Sequence, residues 1–277
     1  MPNWAIWRQF VAYTHGLRWN DELRDTNKDS DLEMKTTASA SESVVRIETL
    51  NAHLVPGAWR YAHNHREVIA DHWRMACAAN PNFFNGVVHV LNGLHIEEGH
   101  ATADFLATEF KDYLYWRDEG YPDEAQVRDG FGSALIRSRE GYIILGRQMP
   151  GNINEGLAYL PGGFIDARDV SEDQQIDVRG SVARELAEET GLDVSAVKPQ
   201  HGFLVTRVAA HVSFAVPYVS PLGADDLVQR IHAHIAAESE PELAEVVVLK
   251  SPADMEGLAM AHYARVLLAS PLAWSFD

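Results

Sequence analysis

One stretch constrains this chain more than any other: Arg184-Glu185-Leu186-Ala187-Glu188-Glu189-Thr190-Gly191-Leu192. On a helix, Glu185, Glu188 and Glu189 stand at i, i+3 and i+4, so three carboxylates share one face about 5–6 Å apart. Bare like charges at that spacing cost a few tenths of a kcal/mol each, so a fold that keeps them either turns them to water or gives them a cation. Gly191 supplies the helix stop. Three glutamates alone read more often as a solvated acidic face; the residues upstream shift the balance. Leu160-Pro161-Gly162-Gly163-Phe164-Ile165-Asp166 is a strand running into a glycine turn, whose bare backbone lets an anionic ligand come close. Hard oxygen ligands without His or Cys select Mg2+, with Mn2+ as the alternative.

The remaining pattern is one of strands flanked by helices. It predicts a strand over 44–55, a helix over 58–79, a hairpin of strands 87–97 and 100–110 turned by Glu98-Gly99, and a short aromatic helix over 111–119. Next come a hairpin (130–137 and 142–146), a strand over 157–160, and a helix from about Asp177 to Thr190. Strands over 201–207 and 212–219, a helix over 224–237, a strand over 243–249 and a helix over 252–268 complete it. The expected architecture is α/β: an α/β/α sandwich with a mixed sheet over 124–277, preceded by a small α+β domain over 44–123. Residues 1–43 read as a flexible tail, with an apolar docking helix at its start and a polar linker after it. Because ordered patterning begins at Val44, Met34 is the expected natural start, and the intact mass of natively expressed protein tests that expectation.

Charge and composition exclude several classes. The 23 Lys and Arg against 40 Asp and Glu leave a formal net charge of −17, which disfavours nucleic acid as a partner. With 46% hydrophobic and 23% charged residues the chain reads as globular. The single cysteine, Cys77, cannot pair within the chain, and no apolar run reaches the ~18–20 residues a membrane span needs. A reducing, cytoplasmic setting without a membrane partner is expected, and a homodimer is compatible with the pattern. Gly-x-Ser-x-Gly, P-loop and GxGxxG motifs are absent.

Together the glycine turn and the glutamate helix resemble the Nudix hydrolase box, G-x5-E-x7-R-E-U-x-E-E-x-G-U with U aliphatic. The second half matches at Arg184, Glu185, Leu186, Glu188, Glu189, Gly191 and Leu192. The first half departs. Counting back from Arg184 puts the early glutamate at Ile176 and the box glycine at Val170; taking Gly163 as the glycine instead calls for a seven-residue insertion, roughly Arg168 to Gln174. Asp177, Glu172 or Asp173 then stand in for the early glutamate, Asp177 being equally suited to cap the helix.

The resemblance implies an α/β/α fold, a divalent cation on Glu185, Glu188 and Glu189, and hydrolysis of a nucleoside diphosphate linked to another moiety. Arg184 would orient a box carboxylate. The base would be Glu189, another box glutamate, or Glu240 or Glu242 from a distant loop. Gly162, Gly163, Phe164 and Arg147 are the candidate substrate contacts, and Arg128, Arg137 and Arg207 weaker ones that serve equally as surface charges. The segment Asn80–Gly86 with Phe110, Tyr113, Trp116 and Arg117 resembles the amino-terminal region of larger Nudix proteins that include the UDP-sugar diphosphatase branch. That points to a nucleotide sugar such as UDP-glucose, giving a nucleoside monophosphate and a sugar phosphate; ADP-ribose, a dinucleotide or coenzyme A is the alternative, as is a nucleotide-sensing regulator without catalysis. Tyr113 and Trp116 read first as core. His63, His65 and His72 read as surface or partly buried histidines.

Overall fold

The computed structural model describes residues 42–81, 83–150 and 155–275. The expected tail and docking helix therefore lie almost wholly outside the described residues. The chain opens with β1 (Ser43–Ile47) and β2 (Thr49–Leu54), followed by α1 (Arg60–Asn64) and α2 (Arg66–Ala79). The hairpin β3 (Val87–Glu97) and β4 (His100–Glu109) leads into α3 (Phe110–Asp118). Then come β5 (Asp129–Arg137), β6 (Ile143–Gln148), β7 (Ala158–Tyr159), β8 (Gln175–Ile176), α4 (Val178–Thr190) and β9 (Lys198–Pro199). The chain ends with β10 (Phe203–Val208), β11 (His211–Val219), α5 (Ala224–Ala237), β12 (Leu243–Leu249) and α6 (His262–Ala269).

Two sheets form. The larger runs β1-β10-β11-β5-β6-β12, with β7 on β6 and β9 on β11; the smaller runs β3-β4-β2-β8. The larger sheet is mixed, because β11 and β5 are parallel while its other pairs are antiparallel. Successive residues of a strand face opposite sides, and β5 shows what covers each side. Phe131 meets Tyr263 of α6 with ring centroids 4.8 Å apart. Gly132 lies under Val182 of α4, whose Cγ2 stands 2.5 Å from where a Cβ at 132 would be. Helices thus cover both faces, as an α/β/α sandwich requires. The smaller sheet lies on the α4 side, where Leu91 and Phe105 close over Gly130.

That smaller sheet is itself buried on two faces. Phe105, Leu91, Ala101 and Ala103 join the core of the larger sheet. Val88, Val90 and Leu106, pointing the other way, join a second cluster with Ile69, Phe110, Tyr113, Leu114 and Trp116. Tyr113 and Trp116, 2% and 1% exposed, are core residues, as their i, i+3 spacing suggests.

Three sequence expectations are corrected. The strand expected over 44–55 is two strands: at Glu48 the chain leaves β10 and crosses to β4, with the Glu48 N–H donating to Gly99 O. The helix expected over 58–79 breaks at His65, whose ψ of 12° is off-helix and whose Nδ1 lies 2.9 Å from Tyr61 O. The last helix is only a 3-10 turn over Pro252–Met255 and then α6, because Gly257, at φ 70°, turns the chain so that Met260 can bridge to Ala158. Two strands cross the sequence boundary at 123/124: β1 joins the larger sheet and β8 the smaller.

Candidate active site

The site is built where β7 hands over to the glycine turn and α4 runs beneath it. Asp177 caps α4, its Oδ1 accepting from Gly180 N at 2.9 Å, and Gly191 ends it at φ 68°. Between these ends Leu186 and Val182 point into the core. That fixes the rotation of the helix and turns Glu185, Glu188 and Glu189 toward the turn.

The turn and the helix need each other's shapes. The Gly162 N–H donates to Glu189 Oε1 at 2.8 Å, and Tyr159 OH donates to Glu189 Oε2. A Cβ at 162 would lie 2.2 Å from Gly132 O, and one at 163 would lie 2.6 Å from Glu185 Oε2. Glycine is thus required at 162, where the close approach is to the backbone of a neighbouring strand, whereas at 163 a side chain would displace the carboxylate of a candidate ligand. Phe164, expected near substrate, packs its ring edge-to-face on Tyr113 with centroids 4.8 Å apart and so fastens the turn to the aromatic cluster.

Asp169 is a candidate site residue that the sequence does not single out. Its carboxylate is buried and accepts from Arg184 Nη1 at 2.5 Å, the partnership the resemblance assigns to the early box carboxylate. Asp169 stands six residues after Gly163, at the spacing that the resemblance expects for the early glutamate. The insertion begins after it rather than at Arg168. Val170 to Ile176 form a small hairpin closed by a Val170–Ile176 bridge, and its outgoing strand β8 pairs with β2. The proposed stand-ins are thereby placed elsewhere: Glu172 and Asp173 at the exposed hairpin tip, Asp177 at the helix cap. Counting forward from Gly163 would have found Asp169.

Burial and like charge dominate the electrostatics. Burial pushes the Glu185 carboxyl up to about 7, the Arg184 guanidinium opposing it and the Glu188 and Glu242 carboxylates adding to it. Glu189 is raised well above the ordinary carboxylate range, first by burial, then by the charge on Glu242. The loop carrying Glu240 and Glu242 faces α4 across a cleft that Glu188, Glu189, His234 and Pro241 also line. Sequence could name these two glutamates but not their distance; the structure brings them to the site. A second cation is also present. Arg168 is held by Asp166 through Nε and Nη2 at 2.9 and 2.6 Å, and its guanidinium reaches Glu185 Oε1 at 3.5 Å and Glu188 Oε1 at 3.9 Å.

The other candidates lie apart. Arg147 Nε donates to Glu245 Oε2 and its Nη1 to Gly156 O, both at 2.8 Å, along the β6–β12 edge. Arg137 donates to Trp274 O and Arg128 to Val127 O. His72 Nε2 lies 2.9 Å from Asp118 Oδ2.

The donor chemistry fits a divalent cation: oxygen ligands only, two of them, Glu185 and Glu189, raised by burial and by facing charge, which a cation would relieve. Among the described residues no three His, Cys, Asp or Glu groups already converge on one point. Glu189 is turned to Tyr159 and Gly162, Glu185 toward Arg184 and Arg168, and Glu188 toward Arg168.

No family model and no curated protein matches the chain. Solved structures do. The MutT protein from Methanosarcina mazei Go1 is 20% identical, over 51% of this chain and 91% of its own, with a TM-score of 0.35. A Nudix hydrolase from M. smegmatis is 15% identical over 51% and 82%, also at 0.35. An ADP-ribose pyrophosphatase from Streptococcus suis 89-1591 is 21% identical over 49% and 81%, at 0.29. Each of these likenesses spans about half of the chain. No helix among the described residues is long and apolar enough to cross a membrane.

Proposed function

We propose that this chain is a divalent-cation-dependent diphosphatase of the Nudix type, acting on a nucleoside diphosphate linked to a second moiety. One observation carries the reading: three glutamates on one face of α4, closed over by a glycine turn that has no room for a side chain at 162 and donates a backbone N–H to one of them. Water adds to one phosphorus of the diphosphate, the bridging P–O bond breaks, and the bridging oxygen leaves on the other phosphate. The water's proton passes to a cleft carboxylate, for which Glu189 and, on the facing loop, Glu240 and Glu242 are available. Glu185, Glu188 and Glu189 would hold the cation, Mg2+ or Mn2+, which supplies charge neutralisation of the diphosphate and a more acidic water. Arg184 positions Asp169 and Glu185, with Nη2 3.2 Å from Glu185 Oε1.

Within that class our best substrate is a nucleotide sugar such as UDP-glucose, on the strength of the amino-terminal resemblance. A cytoplasmic setting goes with it, Cys77 being unpaired. A Mg2+-supplemented panel of UDP-glucose, ADP-ribose, a dinucleotide and coenzyme A tests both levels. Nucleoside monophosphate released from UDP-glucose supports the full reading. Strong ADP-ribose cleavage without UDP-glucose turnover discards the sugar nucleotide, and tight binding with no turnover of any member favours a sensor.

A further inference from the structure

Arg168 is a cation that the glutamate site already contains. It lies in the 3-10 turn Ala167–Asp169 that follows the glycine turn, and its guanidinium reaches three carboxylates on two elements: Asp166 of the turn, and Glu185 and Glu188 of α4. The contacts are unequal. Asp166 holds it by hydrogen bonds of 2.6 to 3.1 Å, with Nε shared between both oxygens. Glu185 and Glu188 lie at 3.5 and 3.9 Å, the range of an ion pair without a formed hydrogen bond. Arg184 is bound to Asp169, lies 3.8 Å from Asp166 Oδ2 and donates to Glu185 Oε1 at 3.2 Å, but makes no ion pair to Glu188. Arg168 is thus held firmly by Asp166 and only loosely by the candidate ligands, its Nη2 facing both Asp166 and Glu185. A divalent cation draws carboxylate oxygens to about 2.0–2.6 Å, and a guanidinium beside those same oxygens would repel it.

We propose that Arg168 is a resident counter-ion of this site, which a divalent cation must displace from Glu185 and Glu188 before it can bind. The inference rests on the metal reading given above. It helps to explain why three buried or half-buried glutamates coexist in this structure without converging: Glu188 faces Arg168, Glu185 lies between Arg168 and Arg184, and Glu189 faces the turn.

Mn2+ titration followed by the electron paramagnetic resonance signal of the free ion tests the proposal without reference to turnover. Arg168→Gln is expected to bind Mn2+ at least tenfold more tightly than the parent chain. Arg168→Lys, which keeps the charge but loses the planar fork, should fall between the two, and it gives the answer if the Gln variant does not fold. In EDTA, Arg168→Gln should melt below the parent, and saturating Mn2+ should raise its melting temperature by more than it raises the parent's. Glu188→Gln, made in the parent chain, should lose Mn2+ binding. Affinities equal to or weaker than the parent in both Arg168 variants, with Glu188→Gln still abolishing binding, overturn the counter-ion and leave the metal site standing. Absence of Mn2+ binding in the parent and in both Arg168 variants overturns both.

Discussion

Replacing Glu185 by glutamine should stabilise the metal-free protein at alkaline pH and leave it almost unchanged in acid. The carboxyl titrates near 7 in the folded chain against an ordinary 4.5, chiefly because burial disfavours its charge. Between those two values the folded state binds a proton that the unfolded state has released, so stability falls as pH rises through that window. At about 1.4 kcal/mol for each pH step, ionised Glu185 costs the fold about 3 kcal/mol above pH 7 and nothing below 4.5. Glutamine keeps the shape of the protonated acid and removes the cost. Urea unfolding in EDTA at pH 5, 6, 7 and 8 should therefore show the variant close to the parent at pH 5 and about 2–3 kcal/mol more stable at pH 8. Other buried acids such as Glu189 and Asp129 share the sign, so the reading is the difference between the two proteins rather than either slope alone. Saturating Mg2+ should narrow the gap by stabilising the parent more than the variant. A difference that does not change with pH, or a variant less stable than the parent at pH 8, would refute the argument.

Glu188→Gln and Glu189→Gln should each lower kcat by at least about 100-fold with the circular dichroism unchanged, and near-parental rates in both would favour the sensor. Gly163→Ala pushes a methyl group into Glu185 Oε2 and should weaken Mn2+ binding while leaving melting within a few degrees. Gly162→Ala meets the Gly132 carbonyl instead, so it should lose about 3 kcal/mol or more in urea unfolding. Asp169→Ala strips the buried partner from Arg184 and should cost about 2–4 kcal/mol, measured in the same way.

Local signals in the chain were legible where local physics decides. Helix α5 and strand β12 begin and end where periodicity places them, and α4 starts after Asp177 because that side chain caps it. The three glutamates share a face because spacing alone puts them there. What could not be read depends on partners far away in sequence. Glu48 is a sheet crossing only because Gly99 and β10 lie on either side of it. Glu240 and Glu242 belong to the cleft only because β12 pairs with β6. Phe164 is a neighbour of glycines in sequence and of Tyr113 in space. Asp169 is a different kind of miss: the spacing from Gly163 was present, but an insertion after it spoiled the count from the helix end.

The crossing of β1 into one sheet and β8 into the other bears on the order in which this protein can be made. Ser43 pairs with Arg207, so β1 waits for a partner strand that is made long after it. His53 waits likewise for Gln175. Closing such long loops is slow. Until β10 and β8 have been made, β1 and the edge of β2 that β8 will cover stand open to pairing with other chains.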